Sequence, residues 1–276
     1  MVQNTIFDQL MYSTVRLTNS AGGMGTGFIY EYQNGTLKVP TIVTNKHVFE
    51  GNFTQNIKFQ LHLSKNDFEP DLGCVNVDLA VLWIQHTTHD LCFCYLQPII
   101  EEIKKKFPLG VYYKAISKAL IPSEEQLSQL NAVEDIIMVG YPNGLQNETY
   151  VLPLFRKGVT SSHPKYDFNL VGTGLADIAS FKGSSGSPIF IYNEFGYRDI
   201  TGNLHLGESR FLFLGILYKG EPWVSRGQLV ESKKELSLAF DPIMMQFINL
   251  GYYIKSSMLY EFEHIIESRL RSDNKI

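Results

Sequence analysis

The chain has 276 residues, a formal net charge of -4, 44% hydrophobic residues and 19% charged residues. That balance excludes a disordered polypeptide, and a slightly acidic chain lacks the basic footprint of a nucleic-acid binder. No run of about 18 apolar residues occurs, so no membrane-spanning helix is expected.

In chain order, the start MVQNTIFDQL has no basic stretch followed by an apolar one, and no secretory leader is expected. Short apolar, β-branched runs divided by Gly, Pro and Asn predict strands over 14–17, 25–30, 40–45, 57–63, 79–83, 135–140, 151–160, 169–173, 187–192 and 210–219. Two stretches in the middle, 99–106 and 124–132, read as helical, and Lys104-Lys105-Lys106 reads as a solvated helix face. The tail, 241–271, carries a one-sided apolar stripe (Ile243, Phe247, Ile248, Tyr252, then Leu259, Phe262, Ile265, Ile266) and predicts helices interrupted near Gly251. Strands do not alternate with long helices, which disfavours a parallel α/β fold. The division that follows is a β-rich lobe over 1–98, a helical connection over 99–134, a second β-rich lobe over 135–240 and a helical extension over 241–276. The three cysteines, Cys74, Cys92 and Cys94, are too few and of the wrong parity for a disulfide framework, and point to a reducing, cytoplasmic setting. Cys92-Phe-Cys94 lacks metal-ligand spacing, so no metal and no cofactor are expected.

Three local patterns carry chemistry. Thr41-Ile-Val-Thr-Asn-Lys-His47 ends a β-branched strand in a histidine; Val77-Asp78-Leu-Ala-Val-Leu-Trp83 sets an acid before an apolar run; Gly183-Ser184-Ser185-Gly186-Ser187-Pro188 holds a serine in a glycine turn. A serine hydroxyl is a poor nucleophile at neutral pH and needs a base within hydrogen-bond reach. Imidazole suits that task, and a carboxylate on its other nitrogen fixes the tautomer and stabilises the imidazolium as it forms. Glycines let the turn aim two backbone N–H groups at one developing oxyanion. The reading assigns Ser185 as nucleophile, His47 as base, Asp78 as orienting acid, and the amides of Gly183 and Ser185 as oxyanion donors.

Together these segments resemble the His, Asp and Ser boxes of chymotrypsin-like (trypsin-like) serine peptidases, in the same chain order. Within that family they look most like bacterial HtrA-type and related cytosolic peptidase domains without a PDZ module, and Gly140-Tyr-Pro-Asn-Gly144 resembles the Gly-x-Pro-x-Gly turn found there. The resemblance, over about residues 14–240, implies an all-β fold of two antiparallel six-stranded barrels with the site in the cleft between them, plus a C-terminal helix. Ser187 stands where the family has a second glycine after the nucleophile, and Ser184 where Asp or Asn is commoner. By the same resemblance Ala179 is the floor of the primary specificity pocket, Asp177 is an acidic position known from HtrA-type enzymes, and Tyr218, Lys219 and Gly220 wall the pocket and pair with substrate. No carboxylate at 179 implies an uncharged, apolar residue before the scissile bond. The expected partner is a protein or peptide substrate. Two alternatives share the fold: a silent peptidase that only binds peptides, and a subunit that a regulatory protein activates.

Overall fold

β-Branched and aromatic residues punctuated by Gly, Asn and Pro form strands over most of the chain, in a computed structural model that describes residues 5–66, 69–146, 150–226 and 243–272. A short helix α1 (Ile6–Leu10), capped by the Thr5 side chain, leads into β1 (Thr14–Thr18), β2 (Met24–Asn34) and β3 (Leu37–Thr44). The hairpin β4 (Ile57–Asn66) and β5 (Glu69–Leu79) follows, then β6 (Ile84–Gln85) and β7 (Cys92–Tyr95). Helix α2 (Gln97–Lys104) buries Ile99, Ile100 and Ile103 on one face and leaves Lys104 to solvent. The strands β8 (Val111–Tyr112) and β9 (Ile116–Ser117) then return to the same sheet, β8 on β4 and β9 parallel to β2. The first lobe is thus one nine-stranded sheet in the order β5-β4-β1-β2-β3-β7-β6, with β8 and β9 beside that path. It differs from the expected six-stranded barrel because part of the presumed connection, 111–117, supplies strands to it.

Helix α3 (Glu124–Ser128), with a capping box from Ser123 and Gln126, opens the second lobe. Its strands are β10 (Asp135–Gly140), β11 (Leu154–Thr160), β12 (Thr173–Asp177), β13 (Pro188–Asn193), the small hairpin β14 (Gly196–Arg198) and β15 (Leu204–Leu206), β16 (Arg210–Arg226) and β17 (Ile243–Lys255). Six of them close a barrel in the order β10-β11-β12-β17-β16-β13. A 3-10 turn (Ser256–Leu259) and helix α4 (Tyr260–Ser272) end the described chain. No described helix is long and apolar enough to cross a membrane.

The expected helix over 241–271 is therefore half strand: 243–255 is the barrel's closing strand, and only 260–272 is the helix, while 241 and 242 lie outside the described residues. The second lobe runs to 255 instead of 240. Tyr253 faces the barrel core and Ile254 the core shared by the two lobes, so the end of β17 at 253–255 is buried on both faces. A strand buried on both faces reads as a continuous apolar run and loses its period-2 signature. The shared core joins Phe28, Val43 and Phe93 of the first lobe to Phe190, Phe213 and Ile216 of the second and to Phe262 of α4. That contact fixes the cleft between the lobes.

One buried histidine has a consequence for stability. His62 on β4 is 4% exposed, edge-on to Tyr12 and 3.4 Å from Cys74 Sγ. Burial pushes the imidazole down to about 4 and the Cys74 thiol up to about 12, so both are neutral at pH 7 and the thiol lacks the thiolate character of a nucleophile. Below about 6.5 the unfolded chain takes up a proton that the folded chain refuses until about 4. Stability therefore falls as pH drops through that window, by on the order of 3 kcal/mol from this group. Urea unfolding at pH 7 and pH 4.5 should show a smaller acid loss in His62→Gln than in the wild type; equal losses would refute the assignment.

Candidate active site

Strand β3 stops at Thr44, and a 3-10 turn (Lys46–Phe49) follows. Val48 and Phe49 bury themselves in the first lobe and leave the His47 side chain 46% exposed at the cleft. The register between β3 and β7 pairs Thr44 with Cys92, which carries the residue two before Cys92 back alongside the histidine. That residue is Asp90. Its Oδ2 lies 2.5 Å from His47 Nδ1, its Oδ1 accepts the His47 backbone N–H at 3.1 Å, and its backbone carbonyl accepts from Asn45 Nδ2 at 2.8 Å. On the other side, His47 Nε2 is 2.7 Å from Ser185 Oγ. With Nδ1–H donating to the carboxylate, the Nε2 lone pair is left to accept the serine hydroxyl.

Asp78 is elsewhere. It sits exposed on β5, opposite Lys58 of β4, and β5 is four places from β3 along the sheet. The expected strand over 79–83 does not form; the strand ends at Leu79 because 69–79 pairs back on β4 as a hairpin. Asp90, not Asp78, lies beside the histidine, and the fold brings His47 and Ser185 together.

The serine turn is built on two residues with positive φ, Gly183 (90°) and Gly186 (87°), a region that favours glycine. A Cβ on Gly186 would collide with Thr26 O, and one on Gly183 would lie 2.6 Å from Tyr141 O. The Gly186 N–H donates to Leu217 O, tying the turn to β16. Lys182 O accepts the Asn143 N–H at 2.5 Å. In a planar trans peptide the N–H leaves from the edge opposite the C=O, so the Gly183 N–H is turned away from that anchor. Neither Gly183 N nor Ser185 N donates to another group among the described residues. Asn143, at φ 52°, belongs to the Gly140–Gly144 turn, whose part in the site is to hold Lys182 O.

Thr26 of β2 escaped the sequence reading. Its N–H donates to Ser185 O at 2.8 Å, its hydroxyl Oγ1 donates to Gly183 O at 2.9 Å, and Thr26 Oγ1 in turn accepts the Tyr141 N–H at 3.0 Å. One threonine of the first lobe thus clasps the serine turn of the second. Ser187 is fully buried, its Oγ without a hydrogen-bond partner among the described residues, and it occupies the space over the bare Cα of Gly140. Ser184 is also fully buried and accepts the Phe181 N–H at 3.4 Å.

A family model described as trypsin-like peptidase domain matches residues 25–194. The chain belongs to that family. Among solved structures, the crystal structure of scabies mite inactivated protease paralogue S-I1 aligns at 11% identity, covering 94% of this chain and 97% of that one, with a TM-score of 0.44. A search of curated proteins finds no match.

Beside Ser185 the trypsin-like domain has an open cleft of about 500 Å³, lined by Ser180, Phe181, Leu217, Tyr218, Lys219 and Gly220 among others. Tyr218, Lys219 and Gly220 line this cleft. Ala179 does not line the cleft; Ser180 takes that place. Strand β12 ends at Asp177, and Ile178 turns into the barrel core, so the chain enters the cleft at Ser180. Asp177 itself is exposed and outside the cleft. Gly251 of β17 backs this wall: a Cβ there would lie 2.6 Å from Ser180 Oγ and 2.7 Å from a Leu217 methyl. Among the described residues no cluster of three or more His, Cys, Asp or Glu could hold a metal ion.

Proposed function

We propose that the chain is a serine endopeptidase that hydrolyses peptide bonds through an acyl-enzyme on Ser185. The observation that carries this reading is the continuous relay Asp90–His47–Ser185, at 2.5 and 2.7 Å. His47 Nε2 takes the hydroxyl proton as Ser185 Oγ bonds to the scissile carbonyl carbon, and Asp90 stabilises the imidazolium. The carbonyl oxygen gains its negative charge against the Gly183 and Ser185 N–H groups. The imidazolium then protonates the leaving amine as the C–N bond breaks. Water, deprotonated by His47, cleaves the ester and restores the hydroxyl.

The cleft disfavours Lys or Arg before the scissile bond, since Asp90 is committed to His47 and Lys182 and Lys219 also line it, while Phe181 and Leu217 favour an uncharged, apolar residue. Cys74, Cys92 and Cys94 are free thiols, which fits work in a reducing compartment such as the cytoplasm. A fluorophosphonate probe tests the chemistry. The folded wild type should label, and Ser185→Ala should not; a folded wild type that stays unlabelled favours a peptide-binding module instead. Cleavage of a peptide library then reads the pocket, and dominance of Lys or Arg before the cut would overturn the apolar preference.

A further inference from the structure

The loop that delivers Asp90, residues 86–91, spans the gap between β6 and β7. Some of its anchors are local or come from neighbouring strands. His86 N–H donates to Leu91 O, Lys46 Nζ donates to His86 O, Asn45 Nδ2 donates to Asp90 O, and His89 Nε2 is 2.9 Å from Val171 O. Others come from near the C-terminal end of the chain. Glu261, in the first turn of α4, accepts two bonds from one residue: the Thr87 N–H on Oε1 at 2.7 Å and the Thr87 hydroxyl on Oε2 at 2.8 Å. A carboxylate is favourable at that helix position because it faces the positive end of the helix dipole.

His86 completes the attachment. Its ring is 3% exposed. Nδ1 accepts the N–H groups of both Thr88 and His89, each at 3.2 Å, so it carries no hydrogen, and Nε2–H donates to Met258 O at 3.1 Å. The ring is therefore neutral, in keeping with burial, which holds its pKa below the usual histidine range. Its 3.4 Å approach to Glu261 Oε2 is a contact and not an ion pair. Phe262 packs on the His86 ring and on Phe93 of β7. Residues 256–272 lie wholly outside the 25–194 segment that marks the family, yet they fix the loop that presents the acid to His47.

We infer that Glu261 is a positioning residue for Asp90, acting through its paired hydrogen bonds to Thr87. This rests on the peptidase reading. Without Glu261, the Thr87 end of the loop loses both bonds and Asp90 drifts from His47. Displacements of about 1 Å at a reacting centre typically cost on the order of 10²-fold in rate.

The test uses the full chain and the second-order rate of fluorophosphonate labelling at Ser185. Glu261→Ala should lower that rate roughly 10–100-fold, with Glu261→Gln, which keeps an acceptor for the Thr87 N–H, recovering much of it. Thr87→Val, a surface change that removes only the hydroxyl donor, should give a smaller loss in the same direction. Glu267→Ala, farther along the same helix, should leave the rate unchanged. In an Asp90→Asn background the Glu261→Ala effect should vanish, because the group through which it acts is already disabled. A labelled wild type whose rate survives both Glu261→Ala and Thr87→Val overturns this inference alone. So does an equal fold-loss in the Asp90→Asn background, the mark of general loosening. A folded wild type that does not label overturns the peptidase reading and this inference together.

Discussion

Asp90→Asn should lower kcat/KM by about 10⁴-fold, while Asp78→Asn should leave it within about twofold. The amide at 90 is isosteric and can still accept the His47 backbone N–H, now made by Asp90 Oδ1 at 3.1 Å. Toward the ring it presents NH2 where the structure has Oδ2 at 2.5 Å from Nδ1. The ring answers by moving its hydrogen to Nε2, which then has no lone pair for the Ser185 hydroxyl. The imidazolium of the transition state also loses its counter-charge. Fold and substrate binding are untouched, so the loss falls on kcat. Asp78, exposed on β5 opposite Lys58, has no part in this. Steady-state kinetics on the two variants decide the matter, and a large loss in Asp78→Asn with an active Asp90→Asn would reverse the assignment.

The two aspartates show what one-dimensional reading can resolve. Asp78-Leu79-Ala80-Val81 and Asp90-Leu91-Cys92-Phe93 each set an acid before an apolar run, twelve positions apart. Locally they are equivalent. Only β3–β7 pairing selects the second, and that pairing is a tertiary fact. His47 and Ser185 were legible because their needs are local: a strand running into a turn, and glycines wherever the nucleophile turn demands positive φ. The same limit explains β17, whose end at 253–255 is buried on both faces and shows no strand period, and the one-residue offset between Ala179 and Ser180, set by how Ile178 seats in the barrel. Thr26 left no signal at all. It is one threonine within a strand, and its partner Gly183 is 157 positions away.

Thr26→Val should lower kcat about 10²-fold with little change in KM, and Thr26→Ser should restore most of it. Valine keeps the shape and the backbone bond to Ser185 O but removes the hydroxyl that serves Gly183 O and Tyr141 N. Leaving those buried groups unpaired costs about 1–3 kcal/mol each at most, a loss visible in urea unfolding. The catalytic effect has a separate cause. The Gly183 amide is fixed from both sides, by Asn143 N on Lys182 O and by Thr26 on Gly183 O. With one side released, the 182–183 peptide can rotate and carry its N–H away from the oxyanion. Losing such a donor outright costs about 2.7–4 kcal/mol, or 10²–10³ in kcat, and Thr26→Val should approach the lower end because the Asn143 anchor persists. Destabilisation alone would reduce the folded fraction without changing kcat per folded molecule. Active-site titration therefore separates the two effects, and a Thr26→Val enzyme with normal kcat per titrated site would show that the clasp serves only the fold.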